Sequence, residues 1–295
     1  MNNTHAGMSL YSRPEIYCTP SRSDGHAVVQ KPLSVWNRLY GIAALRKAAI
    51  LVLLALVWQA YAVQLHNELI FPTFSATIHA LVSGILSGGL LLKAWTSIRV
   101  LLVGYALGIL IATFLTALAT VSRVGTDFLE TLTAMFNPLP AIALLPLALI
   151  WFGLGEGSLV FVLIHSVLWA VSLNTHSGFM SVSPTLRMVG RNCGLTGFRY
   201  VYRILIPAAF PNILSGLKTG WAFAWRTLIA AELVFGVSSG SGGLGWFIYM
   251  SKNLLDIPSV FAGLFMVILI GLFVENVVFN TIERYTVRKW GMQLQ

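Results

Sequence analysis

Charge is what this sequence has least of. Only 10% of its 295 residues are Asp, Glu, Lys or Arg, against about 25% in a soluble domain. Hydrophobic residues make up 57% and the mean hydropathy is +0.78. So few charges exclude a soluble globule, a disordered chain and a coiled coil, and leave an all-α polytopic membrane protein. Cysteine is equally scarce. Cys18 and Cys193 cannot build a disulfide framework or a zinc site. No Ser–His–acid arrangement suggests hydrolysis, so the chain is not read as an enzyme. His165 and His176 lie eleven residues apart with no carboxylate or cysteine nearby to complete a metal set, and they read as structural hydrogen-bonding groups. The glycine-rich run Ser238–Gly245 lacks the Lys-Ser/Thr ending of a phosphate loop and reads as a turn.

What the sequence does have is long uncharged runs. Six passages approach the roughly 20 apolar residues that a membrane-spanning helix needs. They are Ala48 to Leu65, Val100 to Val121, Thr131 to Gly155, Gly157 to Leu186, Asn212 to Val237 and Ile257 to Ile282. The third is interrupted by Pro138, Pro140 and Pro146, and the kink either lines a pore or is only tolerated by its neighbours. The fifth carries Arg226 and Glu232. These stand six apart, about 120° around a helix, so they are not expected to pair with each other. Intramembrane charges normally face a cavity or a partner, so both are candidate pathway residues with Pro138 and Pro140. Arg226 suits a planar anion; the alternative is an ion pair with an acid such as Glu275.

The net charge of +9 follows topology rather than forming a nucleic-acid-binding stripe, and no nucleic-acid partner is expected. With the N-terminus inside, fifteen of the 19 lysines and arginines fall in inner segments; only Lys93, Arg99 and Lys252 lie outside. Both termini are therefore placed in the cytoplasm. The expected organisation is a flexible tail over 1–40, a transmembrane domain over 41–285 and a short tail over 286–295. Residues 66–95 are expected to include a helix along the outer surface.

The inner loop 183–211 alternates cations with apolar residues. Leu186, Val189 and Cys193 recur at helical spacing, Pro184 suits a helix start, and Gly194 and Gly197 suit a stop. An amphipathic helix parallel to the membrane is the expectation, with Arg187 and Arg191 on its rim.

Gly194 followed by Ile206-Pro207 resembles the signature of bacterial ATP-binding-cassette importer permeases. Arg191-Asn192-Cys193-Gly194, Gly216-Leu217-Lys218, Asn137-Pro138-Leu139-Pro140-Ala141, Leu145-Pro146-Leu147, Ile150–Glu156 and Ala230-Ala231-Glu232-Leu233 resemble the branch serving nitrate, sulfonates and taurine. The match runs in order over about residues 68–285. Where that family has Glu-Ala-Ala, this chain has Met188-Val189-Gly190. The acidic residue is absent, and Gly190 weakens the helix by about 1 kcal/mol relative to Ala.

The resemblance implies a type I permease fold with six spans in the bacterial inner membrane. It also implies a separate cytoplasmic ATPase that uses ATP and Mg, a periplasmic solute-binding protein, and a second permease copy. The chain itself would bind no cofactor. Leu186, Arg187, Met188, Val189, Gly190, Arg191, Cys193, Gly194, Ile206 and Pro207 would form the coupling segment. The competing reading, a secondary transporter driven by an ion gradient, calls for repeated halves and paired intramembrane acids, which the sequence does not show.

Overall fold

The computed structural model describes residues 42–87, 89–235 and 242–291. The tail 1–40 and the first half of the glycine-rich run, residues 238–241, lie outside the described residues. The chain divides into two units, residues 1–53 and 54–295. In the first, the described residues are the opening turns of helix α1 (Ala43–Leu65), where Ile50, Leu51, Val52 and Leu53 are all exposed. The second holds every other described element, and all regular elements among the described residues are helical.

In that second unit follow α2 (Phe74–Leu86), α3 (Gly89–Val121), α4 (Arg123–Phe136), a 3₁₀ turn (Ala141–Leu144), α5 (Leu145–Phe152) and α6 (Glu156–Met180). Next come α7 (Pro184–Asn192), the single turn α8 (Gly197–Tyr200), α9 (Ile206–Phe235), α10 (Leu244–Asn253), α11 (Ile257–Phe273) and α12 (Asn280–Glu283). A π turn (Val201–Leu205) joins α8 to α9, and two more (Val274–Phe279 and Arg284–Arg288) flank α12.

Among the described residues, four helices are long and apolar enough to cross a membrane: α1, α3, α6 and the continuous run Ile257–Arg288. A fifth is reached if α4 and Ala141–Phe152, bent by 87° at their junction, count as one broken span. The remaining expected passage corresponds to α9. It is 30 residues long, but Lys218, Arg226 and Glu232 keep it less apolar than the others. The expected second span is also corrected. It begins at Gly89 rather than Val100, so Lys93 and Arg99 ride on α3 itself, as long cationic side chains can when their heads reach water. The segment 66–95 holds a short apolar helix, α2, whose 13 residues are too few to cross a membrane.

The core is built around α6, 61% of whose apolar stretch is buried. It packs between α3 and α9 at close quarters because both neighbours present glycines to it. A Cβ on Gly104 would stand 2.6 Å from Leu163 Cβ, and one on Gly108 would stand 2.7 Å from Val167 Cβ. From the other side, Gly216 and Gly220 face Asn174 and Val171, at 2.8 and 3.2 Å. Both pairs have the Gly-x-x-x-Gly spacing that lets membrane helices approach backbone to backbone, where packing replaces the missing hydrophobic drive. Polar bonds reinforce the contact. Ser166 donates to Thr227 (3.1 Å) between α6 and α9, and Tyr105 donates to the Leu217 carbonyl (2.9 Å) between α3 and α9.

The later helices are tied on by specific contacts. Trp225 donates to the Val267 carbonyl, and Lys218 meets Glu283 at 2.5 Å, joining α9 to α11 and the run beyond it. Trp58 donates to the Pro72 carbonyl (2.9 Å) and packs against Phe71, Phe74, Phe261 and Phe265. Glu156 pairs with Arg99 across the start of α6.

Overpacking a tight contact costs about 1–3 kcal/mol. Gly108→Leu should therefore lower the thermal midpoint of the detergent-solubilised protein by several degrees. Gly157→Ala, whose Cβ would sit an ordinary 3.6 Å from Phe152, should leave it unchanged. Equal midpoints in a thermal melt of the two variants would remove the glycine contact as a determinant of stability.

Candidate functional site

The prolines that interrupt the third apolar passage build a wall. Proline lacks an N–H and disfavours helix in the residue before it, so α4 stops at Phe136 and the chain turns through Pro138 and Pro140 before α5. The bend (Asn137 to Ile142), α6 (His165, Ser166, Trp169) and α9 (Phe223, Arg226, Thr227, Ala230) enclose a pocket of about 340 Å³. Pro138, Pro140 and Arg226, expected from sequence to line a pathway, are thus brought together.

Arg226 is exposed in this pocket. Its Nε donates to the Ala222 carbonyl (2.9 Å), and its guanidinium carbon lies 5.3 Å from the Phe223 ring centroid. Among the described residues no carboxylate comes within ion-pair distance of it, so the alternative pairing with Glu275 does not form. The opposite wall is aromatic. Trp169 stacks on Phe136 at 5.5 Å, and His165 stands edge-on to both. The ring nitrogens of His165 and Trp169 are buried without a hydrogen-bond partner among the described residues. A second pocket of about 300 Å³, lined in part by Glu130, Thr133, Leu173 and His176, shares Asn137 and Pro138 with the first. His165, Trp169, Leu173 and His176 therefore mark one face of α6 along two adjoining cavities. Their spacing of three to four residues was the available signal for that face. Reading the histidines only as structural hydrogen-bonding groups hid it.

Glu232, the other charged pathway candidate on α9, does not line this pocket. It is 3% exposed and its carboxylate accepts bonds from Ser97 Oγ (2.8 and 2.9 Å) and from the Gly245 N–H (2.8 Å). Ser97 Oγ in turn accepts from the Leu244 N–H (2.8 Å). The first turn of α10 thus has its orphan amide groups satisfied by α3 and α9, with a carboxylate at the positive end of its dipole. Gly243 must be glycine here, because a Cβ would collide with Glu232 and Ser97. The partners are 135 residues apart in sequence, and nothing in the local pattern pointed to Ser97.

The expected amphipathic helix is α7. Ser183 caps it by accepting from the Leu186 N–H (3.3 Å), Pro184 occupies its first turn, and Gly194 (φ 71°) ends it in the left-handed conformation. Leu186, Met188, Val189 and Cys193 are uncovered, at 37%, 57% and 50% exposure for the first three. Arg187 departs from its expected place on the rim. It donates to the Phe179 (2.5 Å) and Val182 (3.1 Å) carbonyls at the end of α6, leaving Arg191 exposed. Gly190 has a packing reason: a Cβ there would stand 3.0 Å from both Tyr200 and Ile204. Ile206 and Pro207 open α9. The π turn just before them accommodates a proline that cannot bond back to residue 203.

Several helices of membrane-spanning length, a sharply bent helix pair, an open cation-bearing pocket and a short uncovered amphipathic helix at a loop are thus combined in one chain. Residues 104–287 match the family described as binding-protein-dependent transport system inner membrane component, and the chain belongs to that family. It is 31% identical over 234 residues to a putative ABC transporter permease of Methanocaldococcus jannaschii, covering 78% of this chain and 86% of that protein. It is 27% identical over 254 residues to the nitrate import permease NrtB of Synechocystis sp., covering 84% and 90%. It is also 27% identical over 220 residues to the putative aliphatic sulfonates transport permease SsuC of Escherichia coli, covering 73% and 81%. The resemblance to the nitrate, sulfonate and taurine permeases, and the type I permease fold with it, holds.

Leaving a buried hydrogen-bonding group without its partner costs about 1–3 kcal/mol. Glu232→Ala should therefore speed amide hydrogen exchange across residues 244–253 by about tenfold or more. Ser97→Ala should do so by less, because Glu232 still holds the Gly245 N–H. Unchanged exchange in both variants, read by mass spectrometry, would show that α10 is held by other contacts.

Proposed function

We propose that this chain is the membrane permease subunit of an ATP-driven importer that carries a small anion, of the nitrate, sulfonate or taurine kind, across the bacterial inner membrane. A cytoplasmic ATPase, using ATP and Mg, supplies the energy, and a periplasmic binding protein delivers the solute. A second copy of the permease completes the pathway, and both termini face the cytoplasm. Family membership and the names of the relatives support this reading. The observation that carries the anion is Arg226: a guanidinium held open in a pocket beside a broken helix, with no carboxylate within ion-pair distance among the described residues. An intramembrane cation is costly, about 2.5–3.5 kcal/mol on insertion scales, and persists where a partner or a passing ligand compensates it.

In this reading α7 is the coupling helix. Its uncovered Leu186, Met188 and Val189 enter a groove on the ATPase, while Arg187 is committed to the end of α6 and only Arg191 reaches the rim.

Arg226→Gln should cut anion uptake at least tenfold in reconstituted vesicles while complex assembly and basal ATP hydrolysis persist, and Glu275→Gln should change uptake little. Equal loss of assembled complex in both variants would assign Arg226 to structure. Separately, Leu186→Asp should release the ATPase during affinity purification while the permease stays in the membrane, since truncated anchors cost more than rim charges. An intact Leu186→Asp complex with solute-stimulated ATP hydrolysis would place the coupling contact elsewhere.

A further inference from the structure

We propose that the pocket between the proline bend, α6 and α9 selects a monovalent organic anion with an apolar, ring-sized body, a sulfonate or carboxylate, over a bare inorganic oxyanion such as nitrate. The inference rests on the anion reading of Arg226 and adds what the rest of the pocket requires.

Charge sets the valence. Arg226 is the only residue with a permanent charge among those lining the pocket. Its Nε is already bonded to the Ala222 carbonyl, so the guanidinium offers its terminal N–H groups. That end matches two oxygens of one carboxylate or sulfonate. A second negative charge on the ligand would find no second permanent cation in the lining, only neutral groups such as Ser166, Thr227 and the Trp169 ring N–H, and a buried charge without a counter-charge is disfavoured.

Volume and lining set the body. A cavity of about 150 Å³ is enough to hold benzene, and this pocket encloses about 340 Å³. Nitrate, with four heavy atoms, would leave most of that space as water, part of it against Leu139, Phe223 and the prolines. A ring attached to the anionic group would displace that water onto Phe223, Leu139 and the prolines. The walls are also preformed. The Phe136–Trp169 stack, with planes 10° apart, has His165 edge-on to both rings, and Phe223 underlies the guanidinium. A preformed pocket with aromatic and proline walls, a few neutral polar groups and a single cation orients a ligand by its charged head and grips it by its body.

The test uses the full permease–ATPase complex in lipid nanodiscs and equilibrium dialysis with benzenesulfonate, methanesulfonate and nitrate. Benzenesulfonate should bind at least tenfold more tightly than the other two. Arg226→Gln should weaken both sulfonates at least tenfold. Arg226→Lys, which keeps the charge but loses the fork, should weaken them several-fold in a complex that assembles normally. Phe223→Ala should bring benzenesulfonate to within about threefold of methanesulfonate. If all three anions bind alike and each depends on Arg226, the ring-sized selectivity is overturned while the anion reading stands. If binding of every anion is indifferent to Arg226→Gln and Arg226→Lys, the anion reading fails and the inference goes with it.

Discussion

The close approach of α3 and α9 to α6 is the contact on which the rest of this molecule depends. In a lipid environment apolar side chains gain little by leaving the solvent, so helices must be held by dispersion and by the few polar bonds that close contact permits. Two glycine pairs, one on each flanking helix, provide that closeness. Once backbones are this near, Ser166 can reach Thr227 and Tyr105 can reach the Leu217 carbonyl. The face of α6 left uncovered between them, His165 to His176, becomes a lining for cavities rather than a packing surface.

Two charges in α9 show two ways of living in apolar surroundings. Glu232 is fully engaged. Its oxygens are shared between a hydroxyl from α3 and an amide of α10, and a glycine next to it leaves no room for a side chain. Arg226 is engaged only along its own helix and against a ring face. A side chain with all its partners in place fixes structure, whereas one without them has capacity left for something that comes and goes. That difference, rather than charge itself, separates the two as candidates for transport.

Much of this was legible in the amino-acid sequence because it rests on local rules. The uncharged runs, the proline interruption and the cap-and-stop residues of α7 each follow from composition or spacing within a few positions. What was not legible needs a partner from elsewhere in the chain. Arg187 reads as a rim cation until the carbonyls of Phe179 and Val182 are seen to take it. Gly190 reads as a weak point in a helix until Tyr200 and Ile204 occupy the space beside it. Lys93 and Arg99 read as outside residues ahead of the span, because a hydropathy pattern cannot show that a helix continues through charged residues.

The two contacts made by α7 have a mechanical consequence. Through Arg187 the short helix is fastened to the last carbonyls of α6, and through Gly190 it leans directly on the turn that leads into α9. It therefore bridges the end of one helix and the start of another. Those two helices carry opposite walls of the cation-bearing pocket, His165 and Trp169 midway along α6 and Phe223 and Arg226 on α9. Both walls thus rest on supports that share a single brace at the loop, and a displacement of that brace would bear on the two together.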